Sequence, residues 1–384
     1  MDTITTIILR YCCYVAVAVG LSGCIQSYLP EVLLNPDSYL VVDGSINPRG
    51  ITSIRLMRTR NLRDDTTIPV ESKAVLYIEQ EGGGRFPLTE TAVAGTYTSA
   101  PLQLAPGARV RLSLKTQAQR DYVSDYIEVK ITPEIDAVHW RIGPDGVQLY
   151  ANTHDDTGTS RYYRWEYQET WKFTSAFHSH YKWTPTGIVY RTEDIFNCWD
   201  DENSTNVKLS NTTKLTKDVV ADYPLQLLPS NSVKLRFRYS ILVKQYALTA
   251  AEYAYWEALG KNTENIGSLY DALPTQLTGN VHALADAAEP VLGFVGAQSV
   301  TQQRLYIDRT ELPADWHFDT GYNCELDVYP SPFAIRPNAF VFFSDGTFIP
   351  VDELSPGVAY KYGTVECIDC RIRGTNVKPA FWQD

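Results

Sequence analysis

The chain is poor in positive charge: 34 Lys and Arg stand against 45 Asp and Glu, a formal net charge of −11. Phosphate backbones and anionic lipid surfaces repel such a body, which argues against nucleic-acid binding and against membrane attachment through a basic patch. Long apolar runs are equally scarce. The one present, Tyr11 to Leu21, has the length of a signal-peptide core and is too short to cross a bilayer as a helix. The motifs that enforce catalytic geometry are missing, with no G-x-S-x-G, no H-E-x-x-H and no G-x-x-x-x-G-K. No internal repeat is found, and helical periodicity is confined to one stretch. A catalytic site would have to be assembled from isolated residues. The expectation is therefore a non-enzymatic protein, with no catalytic residue, cofactor or metal assigned.

What is present begins with an address. Arg10 precedes the apolar run, and Leu21-Ser22-Gly23-Cys24 closes it. Small residues followed at once by Cys make the cleavage site of a bacterial lipoprotein signal peptide, whose thiol is lipidated and becomes the first mature residue. Cys24 is the expected lipid anchor, residues 1–23 the signal, and residues 24–38, with Pro30, Asn35 and Pro36, a tether. The several acyl chains of a mature lipoprotein hold firmly where a single chain binds only marginally. Of the seven cysteines, Cys12 and Cys13 leave with the signal, and Cys198, Cys324, Cys367 and Cys370 remain in the exported body. Four thiols in an oxidising compartment suggest two disulfides, for which sequence permits three pairings. Cys367-x-x-Cys370 lacks the second CxxC or His pair of a zinc site and the βαβ surroundings of a redox site.

The chain is globular by composition, 44% hydrophobic with 25 Tyr, 13 Phe and 8 Trp, and the 361 residues after the signal suggest two domains. Seven short strands with turns between them fill residues 39–134, the pattern of an immunoglobulin-like β-sandwich. Residues 135–384 read as a larger antiparallel β domain with a helical insertion at 249–290 and a Cys-rich tail. Two of its strands alternate cleanly. Tyr163, Trp165, Tyr167, Trp171 and Phe173 oppose Arg164, Glu166, Gln168 and Lys172, and Val233 to Val243 oppose Lys234, Arg236, Arg238 and Lys244. Residues 197–232 between them are polar and read as a surface excursion. The helix is announced by Thr249 with Glu252, a capping box, and by Leu248 with Tyr253, a hydrophobic staple; Gly260 is its expected stop. A hairpin is expected around Asp345-Gly346.

Isolated constellations are weak. His178-x-His180 would present two imidazoles on one face of a strand but has no third ligand nearby, and Asp200-Asp201-Glu202-Asn203 lacks the spacing of a calcium loop. Trp183, Trp199 and Trp316, set among turn residues, are the candidates for an exposed sugar-stacking platform. Asp65-Thr66-Thr67 matches a short O-glycosylation pattern.

The runs Gly279-Asn280-Val281, Val291-Leu292-Gly293-Phe294 and Cys367-x-x-Cys370-Arg371-x-x-Gly374, with Val41-Val42-Asp43-Gly44 upstream and Trp382 at the end, resemble the Bacteroidota lipoproteins grouped as domain of unknown function 4249. The resemblance implies an outer-membrane lipoprotein, on the periplasmic or cell-surface face, encoded beside TonB-dependent receptors. It carries over no catalytic or binding residue. The function expected is that of an accessory to a TonB-dependent transporter in substrate capture or uptake. The alternatives are a free-standing glycan- or haem-binding surface lipoprotein and a structural envelope lipoprotein. If Cys24 is the anchor, Cys24→Ala moves the protein from the membrane to the soluble fraction on cell fractionation; a variant that stays with the membranes refutes the assignment.

Overall fold

A computed structural model describes residues 38–60, 67–264, 277, 279–330 and 338–383. Cys24, the signal, all but the last residue of the tether, and Asp65 and Thr66 lie outside the described residues. The protein is mainly β.

The first sheet has ten strands. Leu40–Ser45, Ser53–Arg58, Thr96–Ser99, Arg85–Glu90, Val75–Gln80, Arg109–Lys115 and Asp121–Ser124 lie side by side in that order, with Ile127–Glu128 beside Arg109–Lys115. Alternation sets its inner face: Leu40, Val42, Ile54, Leu56, Ile78, Leu112 and Tyr122 are buried, while Arg55, Arg111 and their neighbours point out. Two strands come from far along the chain. Val281–Ala283 pairs with Asp121–Ser124, and Val291–Leu292 runs parallel to Leu40–Val41. The side chain of Asn280, itself buried, then joins the two ends: its Nδ2 donates to the Val295 carbonyl at 3.0 Å and its Oδ1 accepts from the Val295 amide at 2.9 Å. The sheet nearly closes into a barrel. An immunoglobulin-like sandwich in residues 39–134 would divide these strands between two facing sheets; here one sheet carries them all, together with Val281–Ala283 from the stretch expected to be a helical insertion and Val291–Leu292 just beyond it.

The next unit is a sandwich. Its three-stranded sheet is formed by Val219–Pro229, Gly146–His154 and Ile135–Gly143, and its five-stranded sheet by Asn197–Asn203, Tyr162–Thr174, Arg238–Ala247 and Val300–Asp308, with Lys208–Asn211 also on Tyr162–Thr174. The aromatic stripe fills the space between them. Tyr163 and Trp165 are fully buried, and Trp165 stacks on Tyr223 of the opposite sheet with ring centres 4.4 Å apart. Burying one such ring contributes roughly 1.5–3 kcal/mol.

Three local expectations fail for physical reasons. Residues 197–232 are not an excursion but supply three strands, and Val220, Leu225 and Leu228 enter the core. Register shifts between Leu149 and Tyr150 and between Ala151 and Thr153 reset the two-residue period in this pairing, which hides it from pattern reading. The strand expected from Val233 starts at Arg238, because Val233–Leu235 is a 3-10 turn closed onto Ser232. Ala339–Phe342 is a helical turn capped by Asn338, so the expected Asp345-Gly346 hairpin gives way to a strand pair of Phe348–Ser355 with Ala359–Thr364.

Two disulfides hold the tail, Cys198–Cys370 across 172 residues and Cys324–Cys367 across 43. The C-x-x-C pair is thus divided between two bridges. In the chain-entropy account these loops are worth roughly 5 and 4 kcal/mol. Cys370 sits in the sandwich core, and Cys367 in a smaller cluster with Ile195, Val351 and Ile368.

Closure of the first sheet generates a prediction. Asn280→Ala leaves a buried amide and a buried carbonyl unpartnered, so stability falls by about 2–4 kcal/mol, measured by urea unfolding with tryptophan fluorescence. A loss below about 0.5 kcal/mol, the range of surface substitutions, shows that Asn280 does not hold the seam.

Candidate functional site

The helix Ala250–Glu264 follows the strand Arg238–Ala247 directly and lies where the barrel sheet meets the outer face of the five-stranded sheet. Thr249 caps it, its Oγ1 accepting from the Glu252 amide at 3.2 Å. Gly260 does not end it. The helix continues through an i,i+4 pair of Lys261 with Glu257 at 3.0 Å, and Gly260 lies beside Val207. Tyr253 packs on Tyr162 and Trp256 on Arg164, as an aromatic side facing the sheet requires.

Between the three elements lies a cleft of about 740 Å³. The barrel side contributes Val42, Asp43 and Gly44, the returning segment Leu292, Gly293 and Phe294, the sandwich Arg164, Glu166, Lys244 and Tyr246, and the helix Glu252, Tyr255, Trp256 and Leu259. The even positions of Tyr162–Thr174, which alternation assigns to water, here form a wall, because helix and barrel cover that part of the sheet. Gly293 has φ +103, and a Cβ there would stand 1.9 Å from the Val42 carbonyl oxygen. Only glycine lets the segment run this close to the barrel strand. Tyr255 packs against Phe294 with ring centres 5.3 Å apart.

The wall is an ordered charge cluster. Arg164 lies over the rings of Trp256, at 4.1 Å, and Tyr246, at 4.7 Å, and its Nη1 bonds Glu166 at 2.5 Å. Tyr246 donates to the other Glu166 oxygen at 3.0 Å, and burial raises its phenol well above the usual range. Glu252 is 2% exposed, and its Oε1 accepts from Gln298 Nε2 at 3.0 Å and from Trp256 Nε1 at 3.4 Å. Its carboxyl is turned inward rather than back to the helix start, so the expected capping box is only half formed. Burial pushes it up to about 7, against the opposing pull of Arg164. Three buried polar atoms at this cleft have no partner among the described residues: Glu252 Oε2, Gln298 Oε1 and Arg164 Nε. Gly296 makes room for them, since a Cβ on it would stand 2.5 Å from both Glu252 oxygens and from Gln298 Oε1.

Sequence reading missed Glu252 and Gln298 as a pair. The only trace was a glutamate at the third helical position, which local rules assign to the cap. It also passed over Glu169, the one acid in the aromatic stripe. That residue is buried with Lys234 at 2.8 Å and the Tyr239 hydroxyl at 2.8 Å.

The sequence candidates fall elsewhere. His178 and His180 turn their ring nitrogens on each other at 3.0 Å, and His180 bonds Asp352 at 2.7 Å; among the described residues no group of three or more His, Cys, Asp or Glu is arranged to hold a metal. Asp200 to Asn203 lie on an edge strand and Glu202 pairs with Lys234. The tryptophan platform does not form. Trp199 is buried against Trp382, Trp183 packs on Phe340, and Trp316 joins the sandwich core. Among the described residues no helix is long and apolar enough to cross a membrane.

The family model described as domain of unknown function (DUF4249) matches residues 25–304. No curated protein matches the chain. The matched residues include the first sheet, the sandwich up to the middle of Val300–Asp308, the helix and every residue of the cleft wall.

Gly296→Ala tests the packing behind the wall. The added methyl meets three oxygens and costs about 1–3 kcal/mol as an overpacking change, read as a lowered urea midpoint. An unchanged midpoint shows that Glu252 and Gln298 are free to move away.

Proposed function

The chain belongs to the family of domain of unknown function 4249, and from that premise we propose that it is a lipid-anchored, non-enzymatic lipoprotein of the outer membrane that captures a ligand beside a TonB-dependent transporter. The observation that carries the reading is the junction at Cys24: the lipoprotein cleavage pattern ends there, and the family match begins at residue 25. Anchoring confines the search for a membrane partner to two dimensions and raises its effective concentration. The cleft adds a place for capture, since it joins apolar rings to fixed charges and hydrogen-bonding groups, the usual make-up of a small-molecule site.

A second reading, enzyme, is favoured by one observation, the raised carboxyl of Glu252 at the edge of the cleft. A general acid must reach its substrate. Glu252 faces Gln298 and Gly296 and is 2% exposed, which favours a structural use of its proton.

Affinity capture from detergent-solubilised membranes, with the anchor intact and the chain at native abundance, is expected to recover a TonB-dependent transporter. The Cys24→Ala form should recover much less. Capture of no transporter by the anchored form overturns the accessory role.

A further inference from the structure

Glu252 and Gln298 come from different parts of the chain and meet at the joint between the two β units. Glu252 is on the helix. Gln298 sits in the returning segment, where its amide donates to Ile46 of the barrel at 3.0 Å and its backbone bridges to Lys130. Their side chains share one hydrogen bond, Gln298 Nε2 to Glu252 Oε1 at 3.0 Å, and leave Glu252 Oε2 and Gln298 Oε1 as buried acceptors with no donor among the described residues, both against the Gly296 backbone. Turning the amide over hands its nitrogen to Oε2 but sets its oxygen against Oε1, so one oxygen–oxygen contact without a hydrogen remains in either orientation. An ionised carboxylate has no hydrogen to offer a second acceptor. A protonated one has.

We propose that Glu252 is a neutral carboxylic acid whose Oε2 hydrogen is donated to Gln298 Oε1, closing an acid–amide ring that clamps the helix to the barrel seam, and that loss of this proton releases the clamp and loosens that wall of the cleft. One proton settles both orphan acceptors, which otherwise each carry the full cost of burial without a partner. The charges facing the carboxyl allow this. Across from it on Tyr162–Thr174 stands Arg164, whose charge is engaged by Glu166. Lys244 on the next strand and Asp43 on the barrel line the same cleft, and the helix's own Glu257 and Lys261 pair with each other. Arg164 and the hydrogen bonds received from Trp256 and Gln298 pull the group toward ionisation, and burial outweighs them. The sign follows. A carboxyl held above its ordinary value of 4.5 gives stabilisation that is complete below that pH and is lost as pH rises through about 7. The ring itself is independent of what the cleft binds; only its effect on capture rests on the function proposed above.

Two measurements on the full chain without any ligand test it. Glu252→Gln replaces the acid by an amide that donates to Gln298 Oε1 at every pH. The folding constant of the wild type relative to this variant, from urea unfolding, should fall by up to about tenfold per pH unit between pH 5 and 7, and infrared difference spectra should show a protonated-carboxyl band in the wild type at pH 5.5 that is gone at pH 8.5. A relative stability that is flat over that range, or the absence of that band, overturns the proposal. Should the variant fail to fold, hydrogen exchange on the wild type alone decides. Protection of the amides of residues 250–264, corrected for intrinsic rates, should fall between pH 5 and 7 and level off above, and constant protection refutes the clamp. Neither readout depends on a transporter or a ligand, so failure here and failure of the proposed function are separate results.

Discussion

The return of residues 279–300 to the first sheet is the constraint on which the rest of the structure depends. Val281–Ala283 and Val291–Leu292 supply the two outermost strands, Ile46 and Lys130 make parallel bridges to Ala297 and Gln298, and Asn280 ties the two ends through Val295. Such pairing is expensive in loop-closure entropy, because the partners are more than a hundred residues apart. What offsets it is burial, the pairing of the returning strands and a backbone approach so close that Gly293 can carry no side chain. This return also fixes where the helix lies, and with it the cleft.

The tail solves a second problem of the same kind. The five-stranded sheet ends at Asn197–Asn203, whose edge would be open to pairing with other chains. The C-terminal segment covers part of it: Trp199 and Thr375 exchange backbone hydrogen bonds, Gly374 lets the chain pass against the Trp199 carbonyl and the Phe173 ring, and Trp382 packs on Trp199 and Tyr306. The disulfide from Cys370 to Cys198 on that strand fastens the cover from below, and the second bridge fastens the segment that precedes it.

Electrostatics in the cleft follow from these two arrangements. The outer face of a half-buried sheet normally keeps its arginines and glutamates in water, where an ion pair is worth little. Covering that face with a helix puts Arg164 between two aromatic rings and brings one carboxyl, Glu252, out of water. The two buried glutamates are treated differently. Glu169 is paired with Lys234, whereas Glu252 has an amide for a partner, and burial without a cation in contact pushes its carboxyl up. Joints between domains are where weak, adjustable contacts are expected, and this one is adjustable by a single proton.

Much of the fold was legible from short-range pattern. The mainly β class, the buried aromatic stripe of Tyr163 to Phe173, the Thr249 cap and the four disulfide cysteines followed from periodicity, capping chemistry and compartment, all properties of neighbouring residues. Of the strands in 197–232, Val219–Pro229 was illegible because bulges break the period of its pairing, and the glycine signal misplaced the end of the helix, which runs on to Glu264. The cleft could not be seen at all. Arg164, Glu166 and Lys244 carry the pattern of a solvated face, and Glu252 that of a cap, until a segment from beyond residue 279 folds over them. The sequence by itself determined which faces of each strand and helix were apolar, since that is written in the spacing of side chains. Tertiary structure alone decided which polar face would lose its water, because desolvation depends on what another part of the chain brings against it.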